Sequence, residues 1–106
     1  MTDIKIHRKN IKSVGIRVLG KDRSPYNIPA GHIIEFTVKK SASLGDDKII
    51  IKKTVTGDGG NYYVFRFDAS DTDLFPGIYC YDVKNTTLSE TLGNVGKFII
   101  LEAVND

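Results

Sequence analysis

The chain has one cysteine, no tryptophan, one methionine and three prolines among its 106 residues. With Cys80 alone, no disulfide can form within the chain, and a cysteine-based structural zinc site is excluded. Core packing and backbone ladders must therefore hold the fold. The absence of tryptophan also argues against a carbohydrate-binding surface. Long apolar runs are missing too. The longest, Ile49-Ile50-Ile51 and Phe98-Ile99-Ile100-Leu101, fall far short of the ~20 residues that cross a bilayer. Met1 to Lys9 carries basic residues with no apolar stretch behind them, so no secretory signal is expected. The expected place is the cytoplasm, or outside the cell by lysis or assembly, with no membrane partner.

Neither sign of charge dominates. Fifteen Lys/Arg face thirteen Asp/Glu, a net charge of +2, which is too small to imply a nucleic-acid partner. The distribution is less even. Residues 1–53 carry 12 Lys/Arg and 5 Asp/Glu, and residues 54–106 carry 3 and 8. Either the strands interleave and the halves mix on the surface, or the fold has one basic and one acidic face suited to docking.

What is present is short strands. Apolar content is 41%, normal for a globular protein, and the length suits a single domain over residues 1–106. Seven segments read as strands: Ile4–Arg8, Val14–Leu19, Ile33–Lys39, Lys48–Thr54, Tyr62–Asp68, Ile78–Lys84 and Gly96–Val104. Ile34, Phe36 and Val38 alternate with Glu35, Thr37 and Lys39, and Phe65 and Phe67 alternate with Arg66. That period of two marks half-buried antiparallel strands. It places Ile34, Phe36, Val38, Phe65 and Phe67 in the core. Ile4 and Ile6 are expected on one face; Val14, Ile16 and Val18 are expected inward and Arg17 outward.

Between the strands, Gly20–Gly31 reads as an irregular loop, Ser41–Asp47 as a turn, and Thr56–Asn61 as a flexible hairpin tip. Lys84–Asn94 reads as a polar hairpin or β-arm. Ser70–Phe75 is expected to make one helical turn before Pro76, and Pro76-Gly77 fits the centre of a type II turn. The fold expected is all-β: an immunoglobulin-like antiparallel β-sandwich of about seven strands. A small open barrel is the alternative.

Few residues offer chemistry. Asp68, Ser70, Asp71 and Asp73 form the one carboxylate cluster near a loop. Their spacing does not match a calcium-binding loop, and capping of the crossing turn is the plainer role. His7 and His32 have no ligand or acid–base partner at suitable spacing. Gly57-Asp58-Gly59-Gly60 lacks the lysine and helix of a phosphate loop. Tyr26, Tyr62, Tyr63, Tyr79 and Tyr81 could form an aromatic platform, or pack with their hydroxyls at the sheet edge. Cys80 reads as a small buried hydrophobe. Asn85-Thr86-Thr87 fits a glycosylation sequon only formally. Gly77-Ile78-Tyr79-Cys80 echoes the tyrosine corner of antibody domains, but there the cysteine lies two residues after the tyrosine, and Val14–Leu19 offers no partner cysteine. It reads as a shared way of entering a strand, not as a sign of an antibody-type domain. No catalytic residue, metal ligand or cofactor site is expected.

One resemblance covers Ile4 to Val104. Ile34-Glu35-Phe36-Thr37-Val38-Lys39-Lys40 precedes Ile49-Ile50-Ile51-Lys52-Lys53. Phe65-Arg66-Phe67, Asp71-Thr72-Asp73-Leu74, Pro76-Gly77-Ile78-Tyr79-Cys80-Tyr81-Asp82-Val83 and Gly96-Lys97-Phe98-Ile99-Ile100 follow. This pattern resembles small β-sandwich structural proteins of tailed phages and prophages of Gram-positive bacteria. It is similar to the N-terminal domain of their baseplate upper proteins, without a long C-terminal extension. The resemblance implies a non-enzymatic virion component of tail, baseplate or head decoration, found in the virion or in the bacterial cytoplasm before assembly. Its expected partners are other virion subunits, including copies of itself. The competing reading is an immunoglobulin-like module that binds a carbohydrate or cell surface through Tyr26, Tyr62 and the Gly20–Gly31 loop.

Overall fold

A computed structural model describes residues 3–41 and 49–102 of the chain. Most of the turn expected at Ser41–Asp47, the start of the fourth strand at Lys48 and the end of the seventh at Val104 lie outside them. Among the described residues there is no helix. Seven strands form two sheets: β1 (Ile4–His7), β2 (Lys12–Arg17), β3 (Ile33–Lys39), β4 (Ile49–Thr56), β5 (Tyr62–Phe67), β6 (Gly77–Asn85) and β7 (Glu90–Leu101). The larger sheet runs β1-β7-β6-β3-β4, and the smaller is β2-β5.

The fold is not purely antiparallel. β1 pairs in parallel with β7, with Ile4 opposite Phe98 and Ile6 opposite Ile100. The other ladders are antiparallel. Parallel neighbours need a long crossover, and here nearly the whole chain lies between the two strands.

Alternation decides the core. Ile34, Phe36, Val38, Phe65 and Phe67 are all essentially inaccessible, as are Val18, Val83 and Phe98. The two sheets meet through aromatic rings. Phe36 on β3 lies 5.3 Å from Phe65 and 5.4 Å from Phe67, both on β5. Phe67 then lies 5.4 Å from Phe98 on β7. Ile4, Ile6, Ile16 and Val18 point inward and Arg17 outward, as the period of two requires.

The connections depart further from expectation. Thr56–Asn61 is not a hairpin tip, because β4 and β5 belong to different sheets. It is a crossing held against the preceding loop. Gly57 N–H donates to the His32 carbonyl and Gly31 N–H to the Gly57 carbonyl, while the N–H groups of Ile28 and Gly59 donate to the carbonyls of Gly60 and Ile28 in turn. Asp68–Pro76 is also a crossing, as expected. It makes a single α-type turn, Thr72 N–H to Asp68 carbonyl at 3.2 Å, rather than a helix. Pro76-Gly77 is not a type II turn either. Gly77 already belongs to β6, opposite Ile100, with φ at 157° where a type II turn needs about 80°.

β7 starts six residues earlier than the expected Gly96. Thr86–Ser89 closes a tight hairpin with β6, and Asn85 stands opposite Glu90. The ladder then slips between Asp82 and Lys84. Such an irregularity re-aims the strand. Here it turns Gly93 and Asn94 away from β6 and towards the end of β2.

Candidate interaction surfaces

The carboxylates of the Asp68–Pro76 crossing act on the protein itself. Asp71 accepts from the N–H of Asp68 at 2.8 Å and pairs with Lys53 at 2.6 Å. Burial pushes its carboxyl up, but Lys53 and the Asp68 N–H outweigh that and hold it below the ordinary carboxylate range. Asp73 pairs with Arg8 at 3.1 Å, and Asp68 with Arg66 at 3.3 Å. These side chains cap and tether the crossing. No group of three or more potential metal ligands forms among the described residues.

Arg8–Asp73 and Lys53–Asp71 each join a base of the first half to an acid of the second, while Lys52–Glu35 and Arg66–Asp68 each pair within one half. At the first two pairs the fold brings the halves together.

The tyrosines do not form a platform. Tyr63, Tyr79 and Tyr81 are buried. The Tyr63 hydroxyl accepts from the N–H of Asp58 and lies 2.9 Å from its carboxylate and 3.0 Å from the Gly60 carbonyl. Asp58 is held low, first by the N–H of Gly60 and then by this hydroxyl. So Gly57–Gly60 is a turn organised around its own aspartate. Tyr26 packs on the core, and its hydroxyl is raised in pKa by a hydrogen bond to Glu90. A shallow hollow of about 360 Å³ opens beside them, lined by Gly20, Lys21, Asp22 and Leu92 among others. Tyr62 alone lies half in solvent, with the Arg17 guanidinium 5.9 Å from its ring centre.

Tyr79 does make the corner contact. Its hydroxyl donates to the carbonyl of Phe75 at 2.7 Å. With Tyr79 and Tyr81 inward, Cys80 must face outward. It is half-buried on the outer face of the large sheet, in a concavity of about 290 Å³ shared with Thr37, Lys39, Asp82 and Lys97. The expectation of a buried core cysteine is corrected for that reason.

The remaining candidates are structural. Asn85 is fully buried. Its amide nitrogen meets His32 Nδ1 at 3.1 Å, and its oxygen accepts from the N–H of Leu88 at 3.1 Å. The sequon asparagine is therefore a turn cap inside the protein. His7 is half-buried on β1 opposite Leu101.

The sequence reading missed the open edge of β2. In the β2–β5 ladder Val18 N–H donates to the Asn61 carbonyl at 2.6 Å. By parity the even-numbered residues of β2 face β5, and Ser13, Gly15 and Arg17 turn their peptide groups away. Among the described residues no strand pairs with that edge. Asn94 covers one end of it. Its amide nitrogen donates to the Arg17 carbonyl at 2.9 Å and its oxygen accepts from Leu19 N–H at 2.8 Å. Gly93 N–H adds a bond to the Leu19 carbonyl at 2.7 Å. Gly15 marks a close approach on the outer face of the strand, not at its edge. A Cβ at Gly15 would meet the Tyr62 hydroxyl at 1.7 Å.

No family model, curated protein or solved structure matches the chain. Among the described residues, no helix is long and apolar enough to cross a membrane.

Proposed function

We propose that the chain is a non-enzymatic assembly module: an immunoglobulin-like β-sandwich serving as a structural subunit of a tailed-phage or prophage particle. The observation that carries this reading is the place of the two sequence motifs in the fold. Phe36, from the Phe-Thr-Val-Lys strand, stacks on Tyr81, from the Pro-Gly-x-Tyr-x-Tyr-Asp strand, at 5.1 Å and 10°. Two of the motifs that resemble the phage proteins thus pack on one another.

Strand order supports the immunoglobulin-like part. A variable-type domain orders one sheet G-F-C-C′ and pairs B with E in the other. Taking β2 as B gives β7-β6-β3-β4 and β2-β5, the order found here. Tyr79 then stands at the start of strand F, after the E–F crossing, with its hydroxyl on the backbone four residues upstream, as in a tyrosine corner.

The carbohydrate-binding alternative rests on the hollow beside Tyr26 and Glu90. Tyr62 lies instead over Gly15. Two tests separate the readings. Genes for a portal, tape-measure protein or lysin beside this one favour the particle, and their absence counts against it. Glycan-array binding lost on Tyr26→Ala would instead favour the alternative.

A further inference from the structure

We propose that the open edge of β2 at Ser13, Gly15 and Arg17 is a strand-addition site for an extended partner segment alternating apolar with acidic residues. The proposal deepens the assembly reading and rests on it.

Three observations converge on this edge. The first is unmet hydrogen bonding. The smaller sheet has only two strands, an arrangement that is marginal without further support. Ser13, Gly15 and Arg17 are exposed, and their peptide groups point away from β5. Exposed edges of this kind are templates for another strand. The edge of β1 is partly covered, since Lys12 Nζ donates to the Lys5 carbonyl at 3.0 Å. The outer edges of β4 and β5 are also unpaired among the described residues, and the groove and charge beside β2 single it out.

The second is a groove beside the edge. It holds about 350 Å³ and is lined by Ile4, Val14, Ile16, Leu19 and Tyr81 on its apolar side. Side chains of an added strand alternate between two faces. One set would enter this groove, and the other would lie on the outer surface with Arg17 and Tyr62.

The third is charge. Arg17 holds its guanidinium on the outer face, over Tyr62 and on Asn61 Oδ1 at 3.2 Å, where the second set of side chains would lie. Arg23 lines the groove, and no carboxylate does among the described residues. Lys12 adds a cation at the start of the strand. An acidic segment is therefore the complementary partner. A second copy of β2 would bring the same cations against themselves.

Asn94 gives the site its boundary. Its side-chain amide takes the place a peptide group of the added strand would take at Arg17 and Leu19. The site therefore ends there and extends towards Ser13.

The test uses the full chain and two eight-residue peptides, one alternating valine with aspartate and one alternating valine with lysine. Backbone amide exchange is followed by NMR with each peptide at about millimolar concentration. The aspartate peptide should slow exchange at Gly15 and Arg17 about tenfold, and the lysine peptide should not. Ser13→Pro removes an N–H that faces away from β5, so the ladder should survive and binding should weaken about tenfold, the worth of one hydrogen bond. Should that variant unfold, Arg17→Glu replaces it and should invert the preference between peptides. The proposal is overturned by no protection at the edge, by equal binding of both peptides, or by protection that maps to β4. Concentration-dependent protection without peptide, showing self-pairing, also overturns it. If the edge stays silent while the protein is found in particles, this proposal fails and the assembly reading stands. Selective peptide binding by a protein absent from particles would uphold the strand-addition site and count against the particle.

Discussion

Tyr81 lies flat against Phe36, the ring centroids 5.1 Å apart and the planes 10° from parallel. Phe36 in turn touches Phe65, Phe67 and Phe98. In the proposed frame, Tyr81 follows the corner tyrosine by two residues. Antibody domains place a disulfide cysteine there, packed on a buried tryptophan of strand C. This chain has one cysteine and no tryptophan. A pair of stacked rings occupies the corresponding place, and the link between sheets passes through Phe36 rather than through a covalent bond.

Phe36→Ala should therefore cost about 3–5 kcal/mol, as for other large aromatics removed from a core. Chemical denaturation measures it. A loss below about 1 kcal/mol would show that Phe36 does not join the sheets.

Tyr79→Phe should remove only the bond to the Phe75 carbonyl and cost about 0.5–1.5 kcal/mol. Tyr62→Phe, on a ring 55% exposed, should stay within about 0.5 kcal/mol of wild type. Equal losses for the two would mean that the corner bond contributes nothing to stability.

Much of this core was legible because alternation is a local signal. Ile34, Phe36, Val38, Phe65 and Phe67 could be assigned inward from their neighbours alone. Strand six was ambiguous, since Tyr79 and Tyr81 alternate with Ile78 and Cys80 and both sets are apolar enough to be buried. The parallel β1–β7 pair joins the two ends of the chain and leaves no mark in either strand. Thr56–Asn61 has the glycines of a hairpin tip, and only the sheet assignment of its flanking strands makes it a crossing. The role of Asn94 depends on a ladder slip about 75 residues from its partner Leu19, which no local pattern encodes.

Asn94→Ala should leave the Leu19 N–H and Arg17 carbonyl without their partner and cost about 1–3 kcal/mol. Amide exchange at Leu19 should rise with it. Gly93→Ala should also destabilise, because a Cβ there would lie 2.1 Å from the Gly20 carbonyl oxygen. Unchanged exchange at Leu19 in Asn94→Ala would contradict the described bonding.

Acid should weaken the Asp68–Pro76 crossing. The Asp71 carboxyl is held low in the folded state. Its contribution is therefore present above the ordinary carboxylate pKa of about 3.9 and is lost as pH falls through the lower folded value. Asp71→Asn should be less stable than wild type at neutral pH, by about 0.2–1 kcal/mol for a surface pair of this kind. The gap should close as pH falls below the ordinary carboxylate range and through the lower folded value. A gap that persists unchanged below that value would mean the carboxylate charge is not what holds the turn.

If the chain works as a built-in part of a phage particle, it must travel with that particle. The direct measurement is mass spectrometry across a density gradient of particles released after prophage induction of a strain carrying the gene. The protein should comigrate with tail or head proteins at a constant stoichiometry through successive fractions. Recovery only in the soluble fraction, with complete particles lacking it, would contradict a structural role in the particle.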